Sequence, residues 1–383
     1  MWDSPSAVLA PAASTVATVN PDARPVALGD AAGDGPARAP GHTTALVSRV
    51  DRVCADVIEP AALDVDVDVV PRSHLDALAP TGIFGSAAAG GAPPSQVRAA
   101  HERLAGACLS TWFVVAQHQT PLQLARAAAA ELSEAVVPLL ESGTSVAGIA
   151  FSHLRRWPHR QVEVERMPNG WTFSGTAPWY TGWGINDVAV LAGASADGQV
   201  VFALAPAEAQ PSLRPGSPAR TVAVGAARTV PLHLDRLLVP DDGVLAVVPI
   251  GQWAAADRAK TANVSPSVLG VTTAAVNRLL DGADEPGRRA GARLAEQTHA
   301  VREQAYAMID RVDAMERLDR RVELRAQALR LCLDATTALV VSRGGRAMLT
   351  SDDAQMMARW ALFLTVQAQT PAVREALLAI AAP

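Results

Sequence analysis

Asn169-Gly-Trp-Thr-Phe-Ser-Gly-Thr-Ala-Pro-Trp-Tyr-Thr-Gly-Trp-Gly-Ile-Asn-Asp-Val-Ala-Val-Leu-Ala-Gly193 packs two turns and two strands into one stretch. The Pro168-Asn169-Gly170 turn leads into a strand with Trp171 and Phe173 on one face, and a glycine-rich turn then delivers an apolar strand beginning at Asp187. Upstream, Gln161-Val-Glu-Val-Glu-Arg alternates strictly. Downstream, Val200, Phe202 and Leu204, then Val230, Leu232 and Leu234, repeat the period of two until Val239-Pro240 ends it. No long crossover helix separates these runs, so they predict an antiparallel β-unit over residues 147–250.

On either side the period is helical. Leu46, Val50, Val53 and Val57 place one helix face before Pro60, Pro71 to Gly82 reads as a short helix closed by glycine, and longer helices are predicted over 94–118 and 121–140. Residues 43–146 thus form an all-helical unit. After Trp253, Val268 to Leu280 predicts a helix, and Val301, Ala305, Met308, Val312 and Met315 mark the next. The charged run Glu316 to Arg321 turns the chain, and Val322, Ala326, Leu329 and Leu333 resume the stripe up to Arg343-Gly344-Gly345. With a last long helix over 352–370, residues 251–383 predict a four-helix bundle. Residues 1–42, rich in Ala, Pro and Gly and without periodicity, read as a disordered tail.

Composition narrows the function. A net charge of −5 with scattered arginines offers no field for nucleic acid, and no apolar run approaches the roughly 18 residues of a membrane span. Cys54, Cys108 and Cys332 lack metal or disulfide spacing and are expected to pack as small apolar side chains in a reducing cytoplasm. His42, His74, His101 and His299 have no motif around them and read as surface residues, and no metal site is proposed.

The α+β order of an N-terminal helical domain, a central antiparallel β-domain and a C-terminal four-helix bundle resembles the acyl-CoA dehydrogenase family, and the motifs follow it. Gly175, Trp179, Tyr180, Thr181 and Asp187 fall on the family's flavin-facing strand and turn, with Ala177 in place of its lysine. Leu139 to Ala150 is similar to its lead-in to the first flavin-contacting strand, and Arg228 to Pro240 to its strand ending Val-Pro. Arg343-Gly344-Gly345 sits where the family has a loop touching FAD bound mainly to the neighbouring subunit. The resemblance implies FAD as cofactor, contacted by Ser152, Trp179, Thr181, Arg343, Gly344 and Gly345. It implies a homodimer or homotetramer and a small-molecule substrate such as an acyl-CoA. A flavin reductase or electron-transfer partner belongs to the same picture.

The departures carry the chemistry. Fitting Thr370 to the threonine of the family's Glu-Gly-Thr puts Gln369 at the glycine and Ala368 at the glutamate that abstracts a proton. An alanine cannot act as a base. Lys260, the only lysine, falls near a second position for that base, and as a cation is a poor substitute. The loop Phe151 to His159 replaces the family's Thr-Glu-Pro motif; Arg155 or Arg156 there faces an anion or solvent. His153 in this loop and His118 in Trp112-Phe-Val-Val-Ala-Gln-His are the candidate catalytic groups, against a helix-end histidine satisfied by a carbonyl as the plain reading of His118. A flavin-dependent dehydrogenase, a two-component flavin monooxygenase and a silent partner subunit all remain open.

Overall fold

The computed structural model describes residues 45–86, 91–282 and 284–381; the tail expected over 1–42 lies outside them. Among the described residues six helices come first: α1 (Ala45–Val53), α2 (Ala62–Val67), α3 (Arg72–Leu78), α4 (Pro94–Ala107), α5 (Leu109–Ala127) and α6 (Ala130–Ser142). Eight strands follow, β1 (Ala147–Ala150), β2 (Val162–Met167), β3 (Gly170–Tyr180), β4 (Val188–Ala194), β5 (Gln199–Pro206), β6 (Leu213–Pro215), β7 (Val230–Pro240) and β8 (Val244–Pro249). Six more helices close it: α7 (Ile250–Ala262), α8 (Pro266–Gly282), α9 (Glu285–Arg311), α10 (Leu318–Arg343), α11 (Asp353–Val366) and α12 (Pro371–Ala381). The α+β class and its three-part order are those expected.

The local departures have physical causes. After α1 the helix widens into a π-turn over Cys54–Ile58, so the buried stripe runs Leu46, Val50, Cys54, Ile58 and leaves Val57 exposed. A wider turn delays the phase, and an expectation built on 3.6 residues per turn slips by one position. The predicted 94–118 helix breaks earlier, at Cys108, whose backbone is extended, and α5 then runs straight through Pro121. On the far side of the bundle α9 stops at Arg311, so Val312 and Met315 lie in the turn to α10 instead of on its stripe.

The sheet runs β6-β7-β3-β2-β4-β5-β8 and is antiparallel apart from one region. There β1 pairs parallel with β4, Ala147 opposite Val188 through Ala150 opposite Leu191, and β2 meets β4 in a single parallel bridge. β4 and β5 are buried on both faces. One face, with Phe173, Leu191, Val201 and Leu232, is enclosed by the curl of the sheet itself; the other, with Val190, Val200 and Phe202, lies under Leu122, Leu140 and Trp253 of the helices. A third core joins the N-terminal helices to the bundle α8–α11.

Two polar links orient the sheet against the helices. His118 of α5 is fully buried: its Nε2–H donates to the Leu140 carbonyl at 3.0 Å, and its Nδ1 accepts from Ala147 N at 3.0 Å, the first residue of β1. Arg72 of α3 grips both oxygens of Asp187 at 3.0 and 2.9 Å, and the same carboxylate accepts from Val146 N at 2.7 Å. The start of β1 and the start of β4 are therefore held by the N-terminal helices before the ladder begins. Between helices the decisive contact is steric: α4 and α8 approach so closely at Gly106 and Gly270 that a Cβ on Gly270 would stand 2.1 Å from the Glu102 carbonyl. Arg302 and Tyr306 of α9 clamp the Glu102 carboxylate beside that crossing, at 2.8 and 2.6 Å.

Gly270→Ala is accordingly expected to cost about 2–3 kcal/mol in denaturant unfolding, since backbone must move apart. Gly251→Ala on α7, where nothing stands within 4 Å of the new methyl, is expected to leave stability unchanged or raise it by up to about 1 kcal/mol.

His74 and His101 are buried, not on the surface as expected, His74 through a 3.0 Å bond to the Thr111 hydroxyl. Burial pushes both His101 and His118 down to about 4. Unfolding then takes up protons below the ordinary value near 6.5, so the stability these neutral rings allow is complete above pH 6.5 and lost as pH falls towards 4. Unfolding titrations at pH 7.5 and pH 5 are expected to differ by about 2 kcal/mol for each of the two histidines.

Candidate functional site

The end of β3 is braced from three directions. A register shift between Ala177 and Tyr180 turns the strand, leaving the Trp179 indole 54% exposed while Tyr180 is fully buried. The Tyr180 hydroxyl donates to the Val188 carbonyl and accepts from Asn186 Nδ2, and burial raises its pKa beyond the usual phenol range. Asn186 Nδ2 also donates to the Thr181 carbonyl at 2.9 Å, and Gly182 N donates to Ala227 O at 2.8 Å. Gly182 is obligatory, with φ +93° and Asn186 where its Cβ would be. The Thr181 hydroxyl is buried against that of Thr229, 3.0 Å away. Sequence reasoning singled out Thr181 and missed its partner, because Thr229 lies 48 residues on.

The loop after β1 takes a different role from the one expected. Ser152 starts a short 3-10 turn and is half-buried, with no side-chain hydrogen bond among the described residues. His153 points away into the sheet, its Nε2–H donating to Ala192 O of β4 at 3.1 Å, and burial pushes it down to about 4. Arg155, read as facing an anion or solvent, makes two 2.7 Å bonds to Asp257 and so ties this loop to α7. His118 has both ring nitrogens committed to backbone groups, which fits its plain reading as a buried neutral imidazole held by a carbonyl. His153 rests one ring nitrogen on a carbonyl while its Nδ1 has no hydrogen-bond partner among the described residues.

The loop between α11 and α12 holds the residues fitted to the family's base. Ala368 has φ +48°, so the left-handed residue of this turn is Ala368 and not Gln369, where sequence fitting put the glycine. Arg325, buried in α10, donates to Gln367 O at 2.8 Å and to Thr261 O of α7, fixing the loop from beneath. Burial lowers its pKa to about 10, with neighbouring Arg155 adding to the effect. Nothing in the stripe of α10 marks an inward arginine. Lys260 donates to the Thr120 hydroxyl at 3.0 Å and is exposed.

The α10–α11 turn forms the second half of the candidate site. Gly344 has φ +61° and ψ −146°, a region open only to glycine, and neither Gly344 nor Gly345 has an atom within 4 Å of a Cβ position. Beside them a cleft of about 180 Å³ is lined by Arg278, Arg343, Arg346, Asp352 and Asp353. Arg343 lies 3.9 Å from Asp353, and Arg346 3.2 Å from Asp352. No hydrogen bond or ion pair among the described residues joins Ser152, Trp179 or Thr181 to Arg343, Gly344 or Gly345.

Solved structures with this architecture cover nearly the whole chain. Butyryl-CoA dehydrogenase from Megasphaera elsdenii superposes with a TM-score of 0.76 over 91% of this chain and 99% of its own, at 14% identity. The chain has the acyl-CoA dehydrogenase fold. A glutaryl-CoA dehydrogenase from Mycobacterium smegmatis in complex with FADH2 gives 0.72 over 88% and 93% at 14% identity. Dibenzothiophene monooxygenase from Paenibacillus sp. A11-2 gives 0.70 over 88% and 95% at 15% identity. At these identities the likeness establishes the fold alone. No protein-family model and no curated protein matches the sequence.

The positive φ of Ala368 makes a local test. Ala368→Gly is expected to stabilise the chain by about 1 kcal/mol by removing the left-handed strain of a Cβ, read as a higher denaturant midpoint with unchanged slope.

Proposed function

We propose that the protein is an FAD-dependent oxidoreductase whose cofactor lies between the end of β3 and the glycine turn of a second copy. The observation that carries this is the open Gly344-Gly345 turn, two adjacent glycines with nothing over them, in a chain whose fold is shared along its length with flavoenzymes. The residues fit the group. Trp179 offers a planar apolar face two residues before Thr181, whose buried hydroxyl meets that of the half-buried Thr229, Ser152 keeps a free hydroxyl, and Arg343 lies beside the bare backbone of Gly344. When bound, a flavin supplies hydride acceptance or, once reduced, oxygen activation. The chain's own contribution is orientation and exclusion of water: Thr181 presents a hydroxyl whose other partner, Thr229, fixes its direction, and Trp179 covers a ring face.

The absence of a carboxylate at 367–370 favours oxygenation over acyl-CoA dehydrogenation. Gln367, Ala368 and Gln369 cannot take an α-proton, Lys260 is exposed, and both ring nitrogens of His118 are held by backbone groups. Oxygen insertion needs no such base, and a monooxygenase is among the proteins of this fold. An acyl thioester or related small molecule remains the substrate class, with a flavin reductase as electron source under this reading. A silent subunit is the alternative outcome.

Purified protein is expected to bind FAD with a perturbed visible band, and Thr181→Val to weaken binding about tenfold. Straight-chain acyl-CoAs are expected to leave the flavin oxidised. Bleaching by acyl-CoA would return the protein to dehydrogenation, and a colourless protein that takes up no added FAD would overturn the enzyme reading.

A further inference from the structure

Two residues beside the candidate site hold a backbone conformation that L side chains avoid. Val224 has φ +52° and ψ +24°, and Arg228 has φ +48° and ψ +62°. They bracket a short 3-10 turn over Gly225–Ala227, and its glycine, the residue suited to that conformation, is not one of the left-handed pair. A β-branched residue tolerates the left-handed region least, and Val224 is buried at 3% exposure. Such a backbone persists only where its surroundings over-determine it.

The surroundings here are specific. Val70 N, between α2 and α3, donates to Ala226 O at 3.0 Å, and Arg359 of α11 donates to Val222 O at 2.7 Å, so the segment is anchored to both helical units. On its other side Gly182 N donates to Ala227 O at 2.8 Å, Trp183 N donates to Arg228 O at 3.2 Å, and the Thr229 hydroxyl meets that of Thr181 at 3.0 Å. Residues 227–229 thus grip residues 181–183. Rotation about the Arg228 backbone changes the angle between the Ala227 carbonyl and the Thr229 hydroxyl, so both contacts hold only while Arg228 stays left-handed. We propose that Val224 and Arg228 are positioning residues for the flavin contact of Thr181: their left-handed backbone aims Thr229, and Thr229 fixes the Thr181 hydroxyl. This role rests on Thr181 being a flavin contact.

Arg228 is the probe, because its exposed side chain has no hydrogen bond or ion pair among the described residues. Arg228→Gly, Arg228→Asn and Arg228→Val carry the same charge and tolerate the left-handed region in that descending order. In titrations of the full-length apoprotein with FAD, the first two are expected to bind alike and Arg228→Val about tenfold more weakly, with a shifted visible band. In a Thr229→Val background that difference is expected to fall below about threefold, while the denaturant midpoints keep the same order. A merely structural turn would move the midpoints alone. Should Arg228→Val not fold, Arg228→Ala takes its place with the same order expected. Equal FAD affinity in the folded variants, or a difference untouched by Thr229→Val, would overturn the positioning role and leave FAD binding in place. Failure of the wild type to take up FAD would remove the flavin contact itself, and the positioning role with it.

Discussion

The neutral imidazole of His118 is the joint on which the architecture turns. One nitrogen adds a donor to the Leu140 carbonyl in the last turn of α6, beside the bond from Gly143 N, and the other accepts from the first amide of β1, so a single ring ties the end of the helix to the start of the strand. Because β1 pairs parallel with β4, it has no hairpin to fix its register. His118 and Asp187 provide that register instead, one from α5 and one from the start of β4 itself. A proton on the imidazole would remove its acceptor and bury a charge, which is why the ring is held neutral. The same chemistry that makes it structurally valuable removes it from catalysis.

Much of this was legible in the sequence, and the reasons are particular. β2, β3 and β7 alternate because one face of each meets the core and the other meets solvent or a polar neighbour, whereas β5, buried on both faces, shows as a continuous apolar run. The stripe Ala326 and Leu329 of α10 shows because a bundle helix buries one side. β1, only four residues long, escaped notice because its pattern is too short and its partner lies forty residues away. At the break at Cys108 the sequence offers only Gly106, two residues earlier, whose role is the close crossing of α4 over α8, a tertiary constraint. The π-turn at Cys54–Ile58 is likewise invisible to any fixed helical period.

The candidate site was legible in a different sense. Short-range motifs identified Trp179, Thr181 and Gly344-Gly345, whose exposure, buried hydroxyl and open backbone are local properties of strand end and turn. What the sequence concealed were the long-range partners: Thr229 for Thr181, Asp257 for Arg155, and Arg325 beneath Gln367. For His118 an imidazole advertises reactivity in sequence, while burial and two backbone contacts decide its behaviour in the fold. Ala368 shows the converse, a residue chosen as a missing base that the structure reveals as the strained corner of its turn.

Arginine supplies the cation in the ion pairs that join distant elements: Arg72 to Asp187, Arg155 to Asp257, Arg302 to Glu102 and Arg359 to Asp66. The guanidinium groups of these four pairs keep their protons through the accessible alkaline range. The alkaline edge of the protein is therefore set elsewhere, by buried acids that must stay protonated. Cys54 and Cys332 are pushed up to about 12 by burial, and Tyr180 and Tyr306 are raised as well. Above the ordinary thiol value the unfolded chain releases protons that the native chain retains, so native stability drains away as pH rises through that range while these four arginine–carboxylate pairs stay intact. A protein stapled by arginine thus comes apart in base through its thiols and phenols, with its salt bridges still charged.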